Sequence, residues 1–327
     1  MNPRDAIIIC TERNFEWKSR LLVRSIRAFG GNFSDIRIVS YSPCPDGLPS
    51  RECLDELRSL DVEVIASPLN VAWLEYRLAN KVVACAHAEQ SLGLDRIAFI
   101  DSDQIIVSNF PALFESAIAF AGRPVDVRNI GVSDSAPEET HYWDRLYDIC
   151  GVRRRRNVET AVCHSHIREY FDSGMFSVNS KSGLLTAWKH NFNLVWLAGV
   201  RPTHGDYFVE QSCLSATVTA EVNEVLILPP GYNFPLDRFF QQYAAGERVS
   251  VQNPVSLHYH GLFDEPESFQ DILAFAATFL NQSQCSWIAE NVNELRARKS
   301  VRSGKNSHIS LRRTPVEHRK SPRSVWG

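Results

Sequence analysis

Long apolar runs are absent from this 327-residue chain. The longest, residues 6–10 and 97–100, have the length of β-strands and fall far short of the roughly 18 residues that a membrane span needs. The first residues show no succession of basic, apolar and small side chains, so we expect no secretory leader. The eight cysteines are scattered without a C-x-x-C pair, which favours reduced thiols and a cytoplasmic location.

A strong overall charge is also missing, since the formal net charge is −3. With 44% hydrophobic and 22% charged residues, the chain has a globular composition, which excludes collagen-like and wholly disordered proteins. The charge is nevertheless divided unevenly. Residues 296–327 contain ten Lys and Arg against one acid, a net +9, whereas residues 1–295 sum to −12.

The basic stretch has few apolar side chains, so burial cannot offset the entropy lost on ordering it. We therefore predict a disordered basic tail over residues 296–327. Such a tail is typical of peripheral contact with an anionic membrane, and a location at the inner membrane face would follow. The alternative is a solvated tail without a partner. We expect no specific binding of nucleic acid.

Strand and helix patterns alternate along the first hundred residues, which indicates an α/β fold with a mainly parallel central sheet. The predicted strands are residues 6–10, 36–41, 62–66, 96–100, 117–120, 174–178, 224–228 and 255–258. The predicted helices are residues 16–29, 50–60, 80–92, 181–197 and 267–280. No linker divides the chain, so we predict one domain over residues 1–290. The first loop lacks G-x-G-x-x-G, which excludes a Rossmann dinucleotide site.

Asp101, Ser102 and Asp103 follow the predicted buried strand 96–100. Residues two apart in an extended chain point to the same side, so the two carboxylates can converge on one ion. Hard oxygen ligands suit Mg²⁺ or Mn²⁺. Taken alone, the same pattern also fits a polar loop with two capping aspartates.

The residues around this D-x-D resemble glycosyltransferase family 8, the glycogenin-like enzymes. The resemblance rests on short blocks that occur in the family's order. They are the D-x-D run at residues 99–114, Y-F-D-S-G-M-F at 170–176, E-Q-S-C-L-S at 210–215, L-P-P-G-Y-N at 228–233, L-H-Y-H-G at 257–261 and, upstream, N-K-V at 80–82.

The resemblance implies a GT-A fold, with a nucleotide-binding half over residues 1–115 and an acceptor half over 116–290. It implies a metal-dependent hexosyltransferase that uses a nucleotide sugar, usually UDP-linked, with retention of anomeric configuration. Asp101, Asp103 and His258 would be the metal ligands, and an imidazole ligand favours Mn²⁺ over Mg²⁺.

The same resemblance assigns residues to the donor. Ser102 would stand beside the donor between the two aspartates, and Lys81 would add a cation near the phosphates. Thr11, Glu12 and Arg13 would form the rim that holds the base and ribose. On the donor-sugar side would lie the proposed catalytic residues, which are Glu210, Gln211 and Asp172.

Several departures keep other interpretations open. Asp172 replaces the usual Asn, and the K-P-W that follows the last block is absent, which removes a second phosphate-binding lysine. His260 shares a strand face with His258, so the two could exchange roles. The alternatives are a catalytically silent binding protein and, with less support, a nucleotidyltransferase, which should have a Gly-rich first loop.

Two features of the sequence bear on contacts with an acceptor, an arginine run and a tryptophan. The run Arg153–Arg156 suits an anionic acceptor, although a solvated basic loop explains it equally well. We expect the tryptophans to be core residues rather than sugar-stacking platforms, and Trp143, beside Tyr142, is the one that we would test for acceptor contact. The sequence identifies neither the donor sugar nor the acceptor.

Overall fold

The computed structural model describes residues 2–114, 117–133, 137–203, 205–249, 251, 253–264 and 266–307, with side chains described as far as residue 298. The strands are β1 (Asp5–Cys10), β2 (Arg37–Tyr41), β3 (Val62–Ile65), β4 (Arg96–Ile100), β5 (Gln104–Ile106), β6 (Phe120–Pro124), β7 (Asn157–Glu159), β8 (His166–Arg168), β9 (Phe171–Asn179), β10 (Val225–Ile227), β11 (Phe234–Pro235) and β12 (Ser256–His258). The helices are α1 (Glu16–Phe29), α2 (Arg51–Ser59), α3 (Ala79–Ser91), α4 (Thr140–Cys150), α5 (Leu184–Leu197), α6 (Val209–Glu221), α7 (Leu236–Ala244), α8 (Phe269–Ala276) and α9 (Gln282–Ser307).

A seven-stranded sheet with the order β10-β6-β9-β4-β1-β2-β3 forms the centre of the fold. Strands β4, β1, β2 and β3 are parallel neighbours, and β10 is parallel to β6. Strand β9 lies antiparallel between β4 and β6. The apolar strands β1 and β4 are buried on both faces, as expected of central strands in a parallel sheet. The predicted α/β fold with a mainly parallel sheet is confirmed.

Helices cover both faces of this sheet. Apolar side chains of α3, α4, α5 and α6 pack on one face, where Ile8 and Phe176 belong to the buried cluster. Helices α1 and α2 pack on the other, with Leu22 and Ile26 of α1 against Ile7 of β1. This three-layer arrangement leaves the carboxyl ends of β1, β2 and β4 at one edge of the sheet, where the loops after them meet.

A small second sheet, in the order β11-β12-β5, lies beside the main one. Strand β12 runs antiparallel to β5 and pairs His258 with Gln104. A third core cluster supports this sheet from α8 and α9. The second sheet therefore joins strands β11 and β12, late in the chain, to β5, which follows directly after β4.

The structure changes the limits of one predicted strand and decides the position of the tryptophan that we would test. The strand expected at residues 117–120 begins only at Phe120 and continues to Pro124. Trp143 and Tyr142, suggested as acceptor contacts, are core residues of α4. The Trp143 indole donates to the Ile130 carbonyl at 2.7 Å, and the Tyr142 hydroxyl is hydrogen-bonded to Ser212 at 2.5 Å. Because both rings are buried, neither contacts solvent or an acceptor.

Helix α9 continues across residue 296, where we predicted the basic tail to begin. Leu295 is buried, and the Arg296 guanidinium donates to the Phe263 carbonyl and lies 4.7 Å from the Phe269 ring centroid. These contacts extend the packed part of the chain beyond residue 290. The remainder of the predicted tail, residues 308–327, lies outside the described residues. Among the helices that the structure describes, none combines the length and apolar composition of a membrane span.

Candidate active site

Asp101 is the first residue after β4, and Asp103 lies just before β5. The Asp101 amide donates to the Gly174 carbonyl at 2.7 Å, and the Gln104 side-chain amide donates to that same carbonyl at 2.7 Å. Both contacts tie the turn between β4 and β5 to strand β9. The two carboxylates are thus fixed at the carboxyl end of a central strand, where α/β proteins bind ligands.

His258 joins them through the second sheet. Because β12 pairs with β5, the His258 imidazole lies beside Asp103, with Nε2 3.2 Å from Oδ1. Ligand atoms of Asp101, Asp103 and His258 all lie within 4.8 Å of one another. The structure thus brings the three predicted metal ligands together, and among the described residues it gathers no other group of three potential ligands.

His260, the alternative ligand, faces elsewhere. Its ring stacks on that of His258 with centroids 3.9 Å apart, but its Nδ1 lies 3.2 Å from Asp237 Oδ1. The His260 side chain is 41% exposed and that of His258 only 8%. The backbone at His260 is left-handed, with φ +47°. This turn directs the two histidines to different carboxylates, and His258 is the one beside the aspartate pair.

The charges of the three ligands are strongly coupled. Burial raises the pKa of Asp101, an effect that the Lys81 ammonium only partly offsets. Burial also acts to raise the pKa of Asp103, but the facing His258 imidazolium outweighs it and holds that pKa well below its usual range. Burial lowers the pKa of His258, yet Asp103 reverses the effect and raises it to about 9. A cation is therefore favoured between these carboxylates.

Gly174 leaves the space that such a cation needs. A Cβ at this position would lie 2.9 Å from Asp172 Oδ1, 3.0 Å from His258 Cε1 and 3.2 Å from Asp101 Oδ2. Any side chain here would occupy the centre of the carboxylate–imidazole group. The residues present thus fit a divalent ion by both ligand chemistry and room, and two carboxylates with one imidazole suit Mn²⁺.

Lys81 of α3 connects the metal-ligand group to a second set of polar side chains. Its ammonium lies 2.9 Å from Asp101 Oδ2, 3.5 Å from Glu210 Oε1 and 3.3 Å from Ser173 Oγ. Burial opposes the charge, but Asp101 and Glu210 outweigh it and keep the pKa of Lys81 well above its usual value. Lys81 is therefore a permanent buried cation between the two carboxylates.

Glu210 and Gln211 begin helix α6 and face Ser173. The Ser173 hydroxyl lies 3.1 Å from Glu210 Oε1 and 3.3 Å from Gln211 Oε1, and the Ser173 amide donates to Gln211 Oε1 at 3.3 Å. Burial raises the pKa of Glu210 to about 7, with Lys81 opposing it. Among the described residues, Glu210 Oε2 is buried without a hydrogen-bond partner.

Asp172 lies next to Ser173 in β9, and its carboxylate accepts a hydrogen bond from the Gly174 amide at 2.6 Å. Its side chain is close enough to His258 to help raise the pKa of that imidazole. The three predicted catalytic residues thus surround the Ser173-Gly174 corner of β9, next to the metal-ligand group.

The residues predicted for the nucleotide rim are distributed over one loop and its neighbours. Glu12 accepts from Asn80 of α3, next to Lys81, and its other oxygen lies 3.8 Å from Arg77. Arg13 Nε donates to the Leu48 carbonyl at 3.2 Å. Ser102 is partly exposed in the turn between the two aspartates.

Thr11 differs from these because it is completely buried and hydrogen-bonded to Ser40 at 2.7 Å. The Thr11 side chain therefore stabilises the loop from inside the protein and is not exposed at the rim.

Sequence reasoning overlooked several residues of this site. Ser173 links Lys81, Glu210 and Gln211, and Gln104 anchors the D-x-D turn. Asp126, after β6, is paired with Arg123, and the nearby negative charge of Asp172 contributes to its raised pKa, which burial dominates. Ser173 lay within a quoted motif block, so its position between Asp172 and Gly174 was the available signal.

The arginine run after α4 is only partly free. Arg155 lies 2.9 Å from Asp144, and Arg156 lies 2.7 Å from Glu169. Arg153 and Arg154 are exposed. An anionic-acceptor contact at this loop stays a prediction.

Comparison with known proteins agrees with this geometry. The family model described as the Rhodobacterales glycosyltransferase domain matches residues 6–220. No curated protein matches the chain.

Several solved structures share its fold. The bifunctional glycosyltransferase WbbM has 15% identity and a TM-score of 0.54, covering 91% of this chain and 52% of its own. GlyE of Streptococcus pneumoniae TIGR4 has 13% identity and a TM-score of 0.51, covering 90% and 63%. The galactosyltransferase LgtC, solved with donor and acceptor sugar analogues, has 14% identity and a TM-score of 0.51, covering 90% and 95%. This chain spans about half of WbbM, and the predicted GT-A fold is confirmed.

Proposed function

We propose a specific reaction for this chain, which belongs to the Rhodobacterales glycosyltransferase family and is therefore a glycosyltransferase. It moves a hexose from a UDP-sugar to an acceptor, in a metal-dependent reaction that retains the anomeric configuration. The observation that supports this most is the convergence of Asp101, Asp103 and His258 within 4.8 Å at the carboxyl edge of the sheet. The ordered motif blocks further favour placing the chain with glycosyltransferase family 8.

Asp101, Asp103 and His258 would hold the divalent ion, with Mn²⁺ preferred over Mg²⁺ because one ligand is an imidazole. When bound, such an ion neutralises the negative charge that develops on a leaving nucleoside diphosphate. Lys81 adds a fixed cation on the Asp101 side of the group. It would bind phosphate oxygens there and hold the donor in one orientation.

On the other side of Lys81, Glu210 would face the donor sugar. Its unpartnered Oε2 is the oxygen that would approach the anomeric carbon, as nucleophile or as partner of an oxocarbenium ion. The raised pKa of Glu210, about 7, means that ionised and neutral forms are both populated near neutral pH. This value already includes the lowering effect of Lys81, and the positive charge of a bound ion would further favour the ionised form that this role requires. Gln211 and Asp172 would orient sugar hydroxyls.

A panel of UDP-, GDP- and ADP-hexoses, incubated with the protein and Mn²⁺, tests this proposal. We expect release of the nucleoside diphosphate from a UDP-hexose, and proton NMR of the first-formed sugar should show the anomer of the donor. Inverted product would refute retention. Absence of binding and cleavage for every donor would favour the catalytically silent interpretation. Pyrophosphate release from a nucleoside triphosphate and a sugar phosphate would indicate a nucleotidyltransferase instead.

We also propose that the basic residues of segment 296–327, which sum to +9, hold the enzyme at an anionic membrane surface, at the inner face of the cell membrane. Flotation with vesicles of phosphatidylcholine and phosphatidylglycerol measures the contact. Deleting residues 308–327 removes five of the ten Lys and Arg of this segment, so it should weaken flotation, and it should leave donor hydrolysis unchanged because the packed Arg296 region stays intact. Equal flotation of both proteins would refute the proposal.

A further inference from the structure

A second buried lysine lies near the metal-ligand group. Lys18 belongs to the first turn of α1, and its side chain is only 6% exposed. Its ammonium donates to the His260 carbonyl at 2.7 Å and lies 3.0 Å from Asp264 Oδ2. The rings of Phe15, Trp17 and Tyr259 each lie 5.6 Å from it. These contacts fix a cation where desolvation alone would disfavour it.

Lys18 lies on the Asp103 side of the group. The His260 residue that it contacts stacks on His258, and Tyr259, between the two histidines, donates its amide to the Asp103 carbonyl at 3.1 Å. The charge of Lys18 also contributes to lowering the pKa of Asp103, after the larger effects of burial, which raises it, and of His258 and His260, which lower it. Lys81 contacts Asp101, whereas Lys18 contacts residues 260 and 264, which follow His258 in the chain.

A diphosphate has two anionic groups and needs positive charge on both. The segment after His258 provides no Lys or Arg between residues 259 and 266. A cation near this segment must therefore come from another part of the chain, and Lys18 is brought to it by α1. Its ammonium has three N–H donors, and among the described residues His260 and Asp264 provide two oxygen partners.

Asp264 has the features of a temporary partner. It lies in a short turn after β12, and its side chain is 37% exposed, in contrast with the buried lysine. Its carboxylate presents an anionic oxygen 3.0 Å from the ammonium, as a bound phosphate oxygen would. When a phosphate oxygen replaces the Asp264 carboxylate, the buried Lys18 ammonium still has an anionic partner.

We propose that Lys18 is a second cation for the diphosphate of the donor, and that Asp264 occupies its anion position until the donor binds. This inference rests on the proposed function, because it presumes a nucleoside diphosphate next to the metal. It assigns a donor-binding residue to α1 that no motif block contains.

Titration calorimetry with UDP, and separately with uridine, in saturating Mn²⁺ tests the proposal on Lys18→Gln, Lys18→Arg and Asp264→Asn. The K18Q variant loses a charge-assisted hydrogen bond to the diphosphate, so it should bind UDP roughly ten- to a hundredfold more weakly than the wild type. Uridine binding should not change, and K18R should bind UDP within about threefold of the wild type, since it keeps the cation. D264N should bind UDP about two- to fivefold more tightly, because a competing, partly exposed anion is removed.

The opposite signs distinguish ligand binding from a structural ion pair. If Lys18 and Asp264 only stabilised the turn, both K18Q and D264N would lower the melting temperature and weaken UDP and uridine binding together. That result, or an unchanged UDP affinity in a folded K18Q, overturns the inference. If K18Q fails to fold, tighter binding by D264N with near-normal binding by K18R supports it, and weaker binding by D264N overturns it. Wild-type protein that binds no nucleoside diphosphate overturns the proposed function as well, whereas normal UDP binding by wild type and K18Q overturns this inference alone.

Discussion

Replacing Glu210 by Gln should alter how the stability of the protein depends on pH. The pKa of this buried carboxyl is raised from 4.5 to about 7, so the folded state holds the proton more tightly than the unfolded chain does. The wild type therefore loses stability as the pH rises from 4.5 through 7, and a Gln that never ionises does not. Between pH 5.5 and 8.5, these two pKa values give a loss of about 2 kcal/mol.

Urea unfolding at pH 5.5 and 8.5 measures this difference for the wild type and E210Q. The stability of E210Q relative to the wild type should be about 2 kcal/mol higher at the alkaline pH, or roughly 3 °C in melting temperature. Glu75→Gln is the matched control, because Glu75 is exposed and the charge change is the same. If the stability of E210Q relative to the wild type does not change with pH, burial does not raise the pKa of Glu210, and the reasoning is refuted.

Two further experiments test the metal-ligand group and the ion pairs that join α1 to α2 and to α9. Gly174→Ala should fold normally but weaken Mn²⁺ binding about 10- to 100-fold, because its Cβ would crowd Asp172, His258 and Asp101 at 2.9–3.2 Å; unchanged affinity in calorimetry contradicts the cradle. In double-mutant cycles on urea unfolding, Arg24 should couple more strongly to Glu56 (14% exposed, 2.7 Å) than to Glu294 (42% exposed, 2.9 Å), for which about 0.5 kcal/mol is expected. Equal coupling energies would show that burial does not determine the strength of these pairs.

Buried apolar runs made the central strands predictable. The limits of β4 at Arg96 and Ile100 and those of α1 at Glu16 and Phe29 agree with the sequence pattern. The pattern worked because a strand buried on both faces must be continuously apolar, and a surface helix must be amphipathic. The D-x-D could then be placed at the carboxyl end of a central strand from sequence alone.

Other elements escaped prediction for identifiable reasons. Helix α6 is buried almost all round, so it has no polar face from which a helical period can be read. Strand β5 has only three residues, too few to show alternation. Trp143 illustrates the same limit for a single side chain, because an aromatic residue in a weakly patterned segment can equally belong to the core.

The choice between His258 and His260 also required the structure. Two residues apart in a strand, they point to the same side, and spacing does not separate them. The antiparallel pairing of β12 with β5 and the left-handed backbone at His260 decide which imidazole meets Asp103. Both are long-range or local backbone features that a motif does not encode. The contact of Lys18 with Asp264 is likewise long-range, since 246 positions separate them.

Metal dependence is tested most directly by stripping the protein with a chelator and restoring Mn²⁺ during hydrolysis of a UDP-hexose. We expect chelation to abolish release of UDP from the wild type and Mn²⁺ to restore it. Restoration should also occur in Asp271→Asn, whose exposed carboxylate lies on α8, but not in Asp103→Asn. Full activity of the stripped wild type, or equal restoration in D103N, would contradict the claim that Asp101, Asp103 and His258 hold the ion on which the reaction depends.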